Sequence, residues 1–136
     1  MKKKLKALVV DDDELAQEFL RFFLLKEFEV YTVGNVESFY SIISKIDFDI
    51  IFMDIHLHDT KDGIQLLAEL RANPKYRAVP VLILTTNDST LVKTRALNAG
   101  ADRFINKPIF MEQLTKIIEA VLSQKGNSSS KRFNNY

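Results

Sequence analysis

Residues 5–13 read Leu-Lys-Ala-Leu-Val-Val-Asp-Asp-Asp, an apolar run that ends in three consecutive acids. A second apolar run, Ile-Ile-Phe-Met at residues 50–53, ends in a further carboxylate, Asp54. Such nearly continuous apolar runs are typical of strands buried on both faces, as in a parallel sheet. Because the carboxyl ends of parallel strands meet at one edge of the sheet, these acids would lie close together there. Carboxylates in that position repel one another, so the pattern favours a site for a hard cation and for phosphate.

Strand-like runs alternate with amphipathic helical stretches along the rest of the chain, which is typical of an α/β fold with a doubly wound parallel sheet. The more polar second and last strands are predicted to be edges. The predicted strands cover residues 5–10, 29–33, 50–53, 81–85 and 103–106.

Apolar residues at helical spacing predict a helix after each strand. Capping residues are predicted at Asp13 and Asn35 for the first two helices, and Asn73-Pro74 is predicted to end the third. The fourth would run from about Asp88 to a stop at Gly100. We expect the apolar stripes of the helices to pack in the core, including the stripe of the first helix, formed by Leu15, Phe19, Phe22 and Phe23.

The composition is that of an ordinary globular domain, with 136 residues of which 46% are hydrophobic and 27% are charged. A net charge of +1 argues against direct nucleic-acid binding, and the short lysine run at residues 2–4 suits a solvated terminus. The absence of cysteine excludes disulfides, thiolate metal sites and a cysteine nucleophile. Because no apolar stretch is long enough to span a bilayer and no signal-peptide core follows the lysines, we expect a cytoplasmic protein without membrane contact.

The segment after Gln124 is polar and cannot bury enough apolar surface to fold on its own. We therefore expect one domain over residues 1–124 and a disordered tail over residues 125–136, which is either a natural tail or the start of a linker.

Polar residues follow four of the predicted strands and would share one edge of the sheet. Each has an ordinary explanation when taken alone, such as a helix cap for Asp13 or a solvated lysine for Lys107. Their joint occurrence after strands one, three, four and five indicates a site. The residues of this edge are Asp11, Asp12, Asp54, Thr85 and Lys107.

Five segments of the chain form a pattern: Leu-Val-Val-Asp-Asp-Asp at 8–13, Asp-Ile-Ile-Phe-Met-Asp at 49–54, Asp-Gly at 62–63, Val-Pro-Val-Leu-Ile-Leu-Thr at 79–85 and Ala-Gly-Ala-Asp-Arg-Phe-Ile-Asn-Lys-Pro at 99–108. In this pattern the chain resembles the receiver domains of two-component response regulators, over about residues 5–123. The resemblance to single-domain, chemotaxis-regulator-like members implies a flavodoxin-like fold, with five parallel strands in the order 2-1-3-4-5 and five helices. It also implies a cis peptide bond between Lys107 and Pro108.

The resemblance further implies a role for each residue of the edge. Asp54 would accept a phosphoryl group from a sensor histidine kinase, a histidine phosphotransfer protein or a small acyl phosphate. Asp11, Asp12, Asp54 and the backbone carbonyl of His56 would hold Mg2+. Lys107 and Thr85 would contact the phosphoryl oxygens.

A signalling switch and its tuning residues are implied in the same way. Movement of Thr85 would open space for Phe104, which would change the surface of the fourth helix, fifth strand and fifth helix for a downstream protein target or a phosphorelay. His56, Thr86 and Asn87 would tune dephosphorylation and access to the acceptor. We expect a protein that catalyses only its own phosphorylation and dephosphorylation. If the chain is complete, its output must pass through another protein, because no DNA-binding or catalytic segment follows.

The chain departs from the family pattern in the loop after the acceptor, Ile-His-Leu-His-Asp-Thr-Lys-Asp-Gly at residues 55–63. This loop is one residue longer than usual, and His58 stands where the family usually has proline, so we expect altered loop mobility. Thr86 replaces a common alanine, and Phe104 replaces a common tyrosine.

Three alternatives remain open at this stage. His56 and His58 suggest zinc, although no third histidine or any cysteine accompanies them. The Asp-x-Asp spacing in residues 11–13 suggests a haloacid-dehalogenase-type phosphatase, but Leu15 stands where that family has Thr or Val, and only Asp88 would supply a later acid. A receiver-like interaction module that is never phosphorylated is the third, and the complete set of acids, Thr85 and Lys107 argues against it.

Overall fold

The computed structural model describes residues 3–86 and 89–125, and in this part of the chain strands alternate strictly with helices. The strands are β1 (Leu5–Val10), β2 (Phe28–Val33), β3 (Ile50–Asp54), β4 (Val81–Thr85) and β5 (Arg103–Asn106). The helices are α1 (Glu14–Leu24), α2 (Val36–Lys45), α3 (Gly63–Ala72), α4 (Thr90–Ala99) and α5 (Met111–Lys125).

The five strands form one parallel sheet in the order β2-β1-β3-β4-β5. The predicted fold class, strand order and edge strands are therefore confirmed. Three of the predicted strands match at both ends, whereas β2 begins one residue earlier, at Phe28, and β3 continues to Asp54. Residue Asp54 thus belongs to the end of a central strand, and its backbone is fixed by the sheet.

Apolar layers cover both faces of the sheet, as the continuous apolar strands predict. Alternate residues of β1 separate into the two layers, with Leu8 and Val10 in one and Ala7 and Val9 in the other. Helices α2, α3 and α4 close the first layer, whereas α1 and α5 close the second. This arrangement leaves the carboxyl edge of the sheet open between the two helical layers.

The prediction that the apolar stripe of α1 packs in the core is wrong. Leu15 and Phe22 are 80% and 79% exposed, and Phe19 is also exposed, while Phe23 is only partly buried. The helix buries Leu20 and Leu24 instead. At about 100° per residue these two residues point roughly opposite to Leu15, Phe19 and Phe22, so the helix carries two apolar faces and only one meets the sheet.

Most of the predicted helix ends are confirmed. The Asp13 side chain accepts a hydrogen bond from the Leu15 amide, and Asn35 accepts one from Ser38. Asn73 caps the end of α3, and Gly100 ends α4 in the left-handed conformation, with φ 110°. The predicted start of the fourth helix, Asp88, lies outside the described residues, and the helix there is capped by Ser89.

Helix α5 ends at Lys125, and residues 126–136 of the predicted tail lie outside the described part of the chain. Among the described residues, no helix combines the length and the apolar character that crossing a membrane requires.

The start of α3 lies against the end of β3 at a distance that only glycine permits. A Cβ atom on Gly63 would lie 2.2 Å from the backbone oxygen of Asp54. The Gly63 amide donates to the Ile55 carbonyl at 2.8 Å, which holds the two segments together. The close approach therefore fixes the far end of the loop that follows Asp54.

We expect Gly63→Ala to lower the free energy of unfolding by about 2–4 kcal/mol, because the added methyl group meets backbone that cannot move aside. Gly34→Ala is the control, since its Cβ would lie 3.3 Å from the flexible end of Gln17 and should cost about 1 kcal/mol or less. Urea unfolding of both variants measures the difference, and equal losses would contradict the steric explanation.

Candidate functional site

The carboxyl ends of β1, β3, β4 and β5 carry the polar residues that the sequence predicts to share one edge. Asp11 follows β1, Asp54 ends β3, Thr85 ends β4 and Lys107 follows β5. Backbone pairing continues at this edge, since the Lys107 amide donates to the Thr85 carbonyl at 2.8 Å. The sheet register therefore places these side chains side by side.

Three carboxylates form the centre of the site. One oxygen from each of Asp11, Asp12 and Asp54 lies within 4.8 Å of the others, and in the described part of the chain this is the group of acids and histidines that is close enough to hold a metal ion. Asp11 and Asp54 are buried, whereas Asp12 faces solvent. An all-oxygen set with one open side fits Mg2+, which keeps several waters in its coordination sphere.

Lys107 supplies the positive charge that these acids need. Its Nζ atom lies 2.8 Å from Oδ2 of Asp11 and 3.3 Å from Oδ2 of Asp54, and its side chain is 18% exposed. The other oxygen of Asp11 accepts a hydrogen bond from the Asp13 amide at 2.9 Å. Both oxygens of the fully buried Asp11 are thus satisfied by the protein, as a buried carboxylate requires.

The acid cluster shifts the protonation of Asp54. Burial, together with the neighbouring Asp11 carboxylate, raises the pKa of Asp54 to about 6, against the opposing effect of the Lys107 ammonium. Burial by itself would lower the pKa of Lys107, but its contacts with the two carboxylates outweigh burial and raise it. The site therefore keeps Lys107 charged, while Asp54 is held less firmly in its ionised form.

Asp12 has a partner that the sequence does not predict. Nδ1 of His58 lies 2.7 Å from Oδ2 of Asp12, across 46 positions of sequence. His58 has a positive φ of 52°, in the left-handed region that proline cannot adopt. The hydrogen bond to Asp12 raises the pKa of His58. The only sequence signal for this contact is the histidine at a position where proline is usual.

Side-chain contacts tie the remainder of the lengthened loop to neighbouring helices. Oδ2 of Asp59 accepts a hydrogen bond from the Val36 amide at 2.9 Å. Lys61 forms an ion pair with Glu69 and contacts the hydroxyl oxygen of Tyr40 at 2.7 Å. The loop with its additional residue is thus held by contacts with α2 and α3. The expected change in the mobility of this loop stays a prediction.

Among the described residues, the other predicted site residues do not belong to the acid cluster. Thr85 is fully buried, Thr86 is exposed, and Asn87 lies outside the described residues. Phe104 is partly buried against the core, with Nζ of Lys93 5.7 Å from the centre of its ring. The peptide bond between Lys107 and Pro108 is cis.

The histidine pair does not form a zinc site in the described part of the chain. Neither His56 nor His58 belongs to the group of potential ligands that lie within 4.8 Å of one another. The His56 amide instead donates to Oδ1 of Asp54 at 3.3 Å, which fixes the first turn of the loop.

The chain is similar in sequence and in fold to known proteins. The family model of the response regulator receiver domain matches residues 7–119. The transcriptional regulatory protein PmrA of Pectobacterium parmentieri is 33% identical over 129 residues, which cover 93% of this chain and 57% of that protein. The chain thus spans little more than half the length of this relative.

Solved structures show the same architecture. The chemotaxis protein CheY4 of Vibrio cholerae has a TM-score of 0.82 and 27% identity, with 88% of this chain and all of that chain covered. The receiver domain of the sensor histidine kinase PA1611 from Pseudomonas aeruginosa has a TM-score of 0.77 and 25% identity, with 87% and 97% covered. That structure contains a magnesium ion coordinated in its active-site cleft.

We expect Asp54→Asn to raise the free energy of unfolding by about 1–3 kcal/mol at pH 7.5 in the presence of a metal chelator. Below about pH 4 the variant and the wild type should be equally stable. The raised pKa means that the folded state binds the Asp54 proton more tightly than the unfolded chain does. Ionisation of Asp54 therefore costs stability as the pH rises from its ordinary pKa, near 4, to about 6.

Urea unfolding of wild type and variant at both pH values checks this expectation. Asp13→Asn is the control, because it changes one charge in the same run but keeps a good helix cap. A gain for Asp54→Asn that is equal at both pH values would contradict the assigned cause.

Proposed function

Since the chain belongs to the response regulator receiver domain family, we propose that it is a phosphorylation switch in which Asp54 accepts the phosphoryl group. The observation that carries this proposal is the position of Asp54, at the end of a central strand, with two further carboxylates and the Lys107 ammonium beside it. The protein would catalyse only its own phosphorylation and dephosphorylation. We also propose that it is located in the cytoplasm.

The chemistry follows from this arrangement. An oxygen of the Asp54 carboxylate attacks the phosphorus atom of a phosphohistidine, so that an O–P bond forms while the P–N bond breaks and its electron pair returns to the imidazole. Phosphoryl transfer depends mainly on positioning and on neutralising charge. Nζ of Lys107 lies 3.3 Å from Oδ2 of Asp54 and is held by Asp11, so the ammonium is already placed beside the carboxylate that reacts.

Magnesium binding is part of the proposal. Asp11, Asp12 and Asp54 would hold the ion together with the backbone carbonyl of His56, and the all-oxygen cluster fits it. The magnesium in the cleft of the Pseudomonas aeruginosa receiver domain supports this choice of metal. When bound, the ion would neutralise charge on the phosphoryl oxygens.

Thr85 and Phe104 would carry the signal from the site. Thr85 lies at the end of β4, and Phe104 lies on the neighbouring strand β5, where its Cα pairs with that of Ile83. We propose that the Thr85 hydroxyl donates a hydrogen bond to a phosphoryl oxygen, and that Phe104 turns inward and changes the face formed by α4, β5 and α5 for a protein target or a relay. His56, Thr86 and Asn87 would tune the rate of dephosphorylation.

The exposed apolar face of α1 is the proposed docking surface for the phosphodonor, a sensor histidine kinase or a histidine phosphotransfer protein. Leu15 and Phe19 line a groove of about 320 Å3 together with Pro108 and Ile109. Lys107 lies in the same groove, so a helix of the donor packed there would present its phosphohistidine to the acid cluster. The two faces of α1 thus have separate purposes, one for the core and one for a partner.

We expect acetyl phosphate with Mg2+ to label the wild-type protein with one phosphoryl group, and Asp54→Asn to abolish the label, because the variant has no carboxylate nucleophile. Asp13→Asn should be labelled like wild type, since Asp13 serves as a helix cap. Mass spectrometry of the intact protein measures the label. Undiminished labelling of Asp54→Asn would disprove the assignment of the acceptor.

We expect Leu15→Ser to slow transfer from a phosphorylated protein donor at least about fivefold, because it removes an apolar side chain that lines the docking groove. The donor is chosen by testing several histidine kinases and phosphotransfer proteins, and it is the one that phosphorylates the wild-type protein fastest. Leu25→Ser, an exposed residue just after α1 that does not line this groove, is the matched control.

Labelling of Leu15→Ser by acetyl phosphate should remain within about twofold of wild type, because a small donor needs no docking surface. If Leu15→Ser slowed phosphorylation equally with both donors, the defect would lie in the phosphorylation site around Asp54, and the docking role would be contradicted.

A further inference from the structure

His58 contacts one carboxylate of the acid cluster, that of Asp12. Asp12 is the exposed member of the acid cluster, with a side chain that is 29% exposed, and Nδ1 of His58 lies 2.7 Å from its Oδ2. His58 itself is 79% exposed and contacts this carboxylate from the solvent side. A cation that binds Asp12 must therefore share this oxygen with the imidazole, displace the imidazole, or use the other oxygen of the carboxylate.

The backbone holds the imidazole in this position. His58 has a left-handed backbone conformation. Its side chain therefore leaves the backbone in a different direction from the side chains of the preceding strand. The next residue, Asp59, is anchored by the amide of Val36 at 2.9 Å and by that of Thr60 at 2.6 Å. The contact with Asp12 is thus prepared by the shape and the anchors of the loop.

The distances place His58 outside the set of ligands that one Mg2+ ion could have. Two ligands of one Mg2+ ion lie at most about 4.2 Å apart, twice the usual bond length. The group of potential ligand atoms within 4.8 Å of one another contains Asp11, Asp12 and Asp54, and His58 is not part of it. Mg2+ also prefers oxygen ligands, whereas imidazole suits transition metals.

We propose that His58 is a latch on the metal site, which competes with Mg2+ for Asp12 and so sets the Mg2+ concentration at which the site fills. This inference rests on the proposed function, because it assumes that the acid cluster binds Mg2+. The latch separates two states of Asp12, one paired with His58 and one available to the ion.

The size of the effect follows from the fraction of time that the latch is closed. A binding-competent state that is populated only in part weakens the apparent affinity by that fraction. A latch that is closed for half to four-fifths of the time would weaken Mg2+ binding about two- to fivefold.

The experiment is a Mg2+ titration of the full chain by isothermal titration calorimetry, since the absence of tryptophan removes the usual fluorescence probe. His58→Gly removes the imidazole and tolerates the positive φ without strain. Thr60→Gly gives the same loop a similar gain in backbone freedom but leaves His58 in place. His58→Lys restores a cation that can reach Asp12.

We expect His58→Gly to bind Mg2+ about two- to fivefold more tightly than wild type, with Thr60→Gly unchanged and His58→Lys close to wild type or weaker. Unchanged or weaker binding by His58→Gly, or an equal gain in Thr60→Gly, would overturn the latch. If wild type and His58→Gly both fail to bind Mg2+, the metal site of the proposed function fails as well. Labelling by acetyl phosphate with unchanged Mg2+ affinity in His58→Gly would overturn the latch and leave the proposed function standing.

Discussion

Two buried carboxylates at the carboxyl edge of the sheet, Asp11 and Asp54, are held beside each other by the ammonium group of Lys107. Isolated charges in this position would be very costly, so the site depends on the lysine to make its own acids tolerable. The compensation is incomplete, because the pKa of Asp54 still lies at about 6. An acid cluster with this residual imbalance is suited to gain a divalent cation and to react with a phosphoryl group.

The order of the strands makes this arrangement possible. β1 and β3 are neighbours, so the two buried acids emerge side by side, while Lys107 emerges from β5, beyond β4. A long and flexible lysine side chain crosses the end of β4 to reach them, whereas a shorter residue would not. Thr85 ends β4, the strand that lies between those carrying Asp54 and Lys107.

The surroundings of the site divide access between two kinds of partner. The outer apolar face of α1 and the segment after Lys107 form a groove that suits a protein donor. On the other side, the lengthened loop after Asp54 places His58 against the exposed acid of the cluster. The proposed sites for the phosphodonor and for control of the metal ion thus lie on different elements, although both border the same three carboxylates.

Residue order alone predicts the alternation of strands and helices, the sheet class and the edge at which the acids gather, because apolar runs that end in carboxylates can be recognised before the chain is folded. The strand order came from the resemblance of the motifs. Periodicity did not decide which face of α1 is buried, because the helix carries two apolar faces and only the packed sheet selects between Leu20 and Leu15. The contact of His58 with Asp12 also required the tertiary structure, since it depends on a left-handed residue in a loop 46 positions away in the chain.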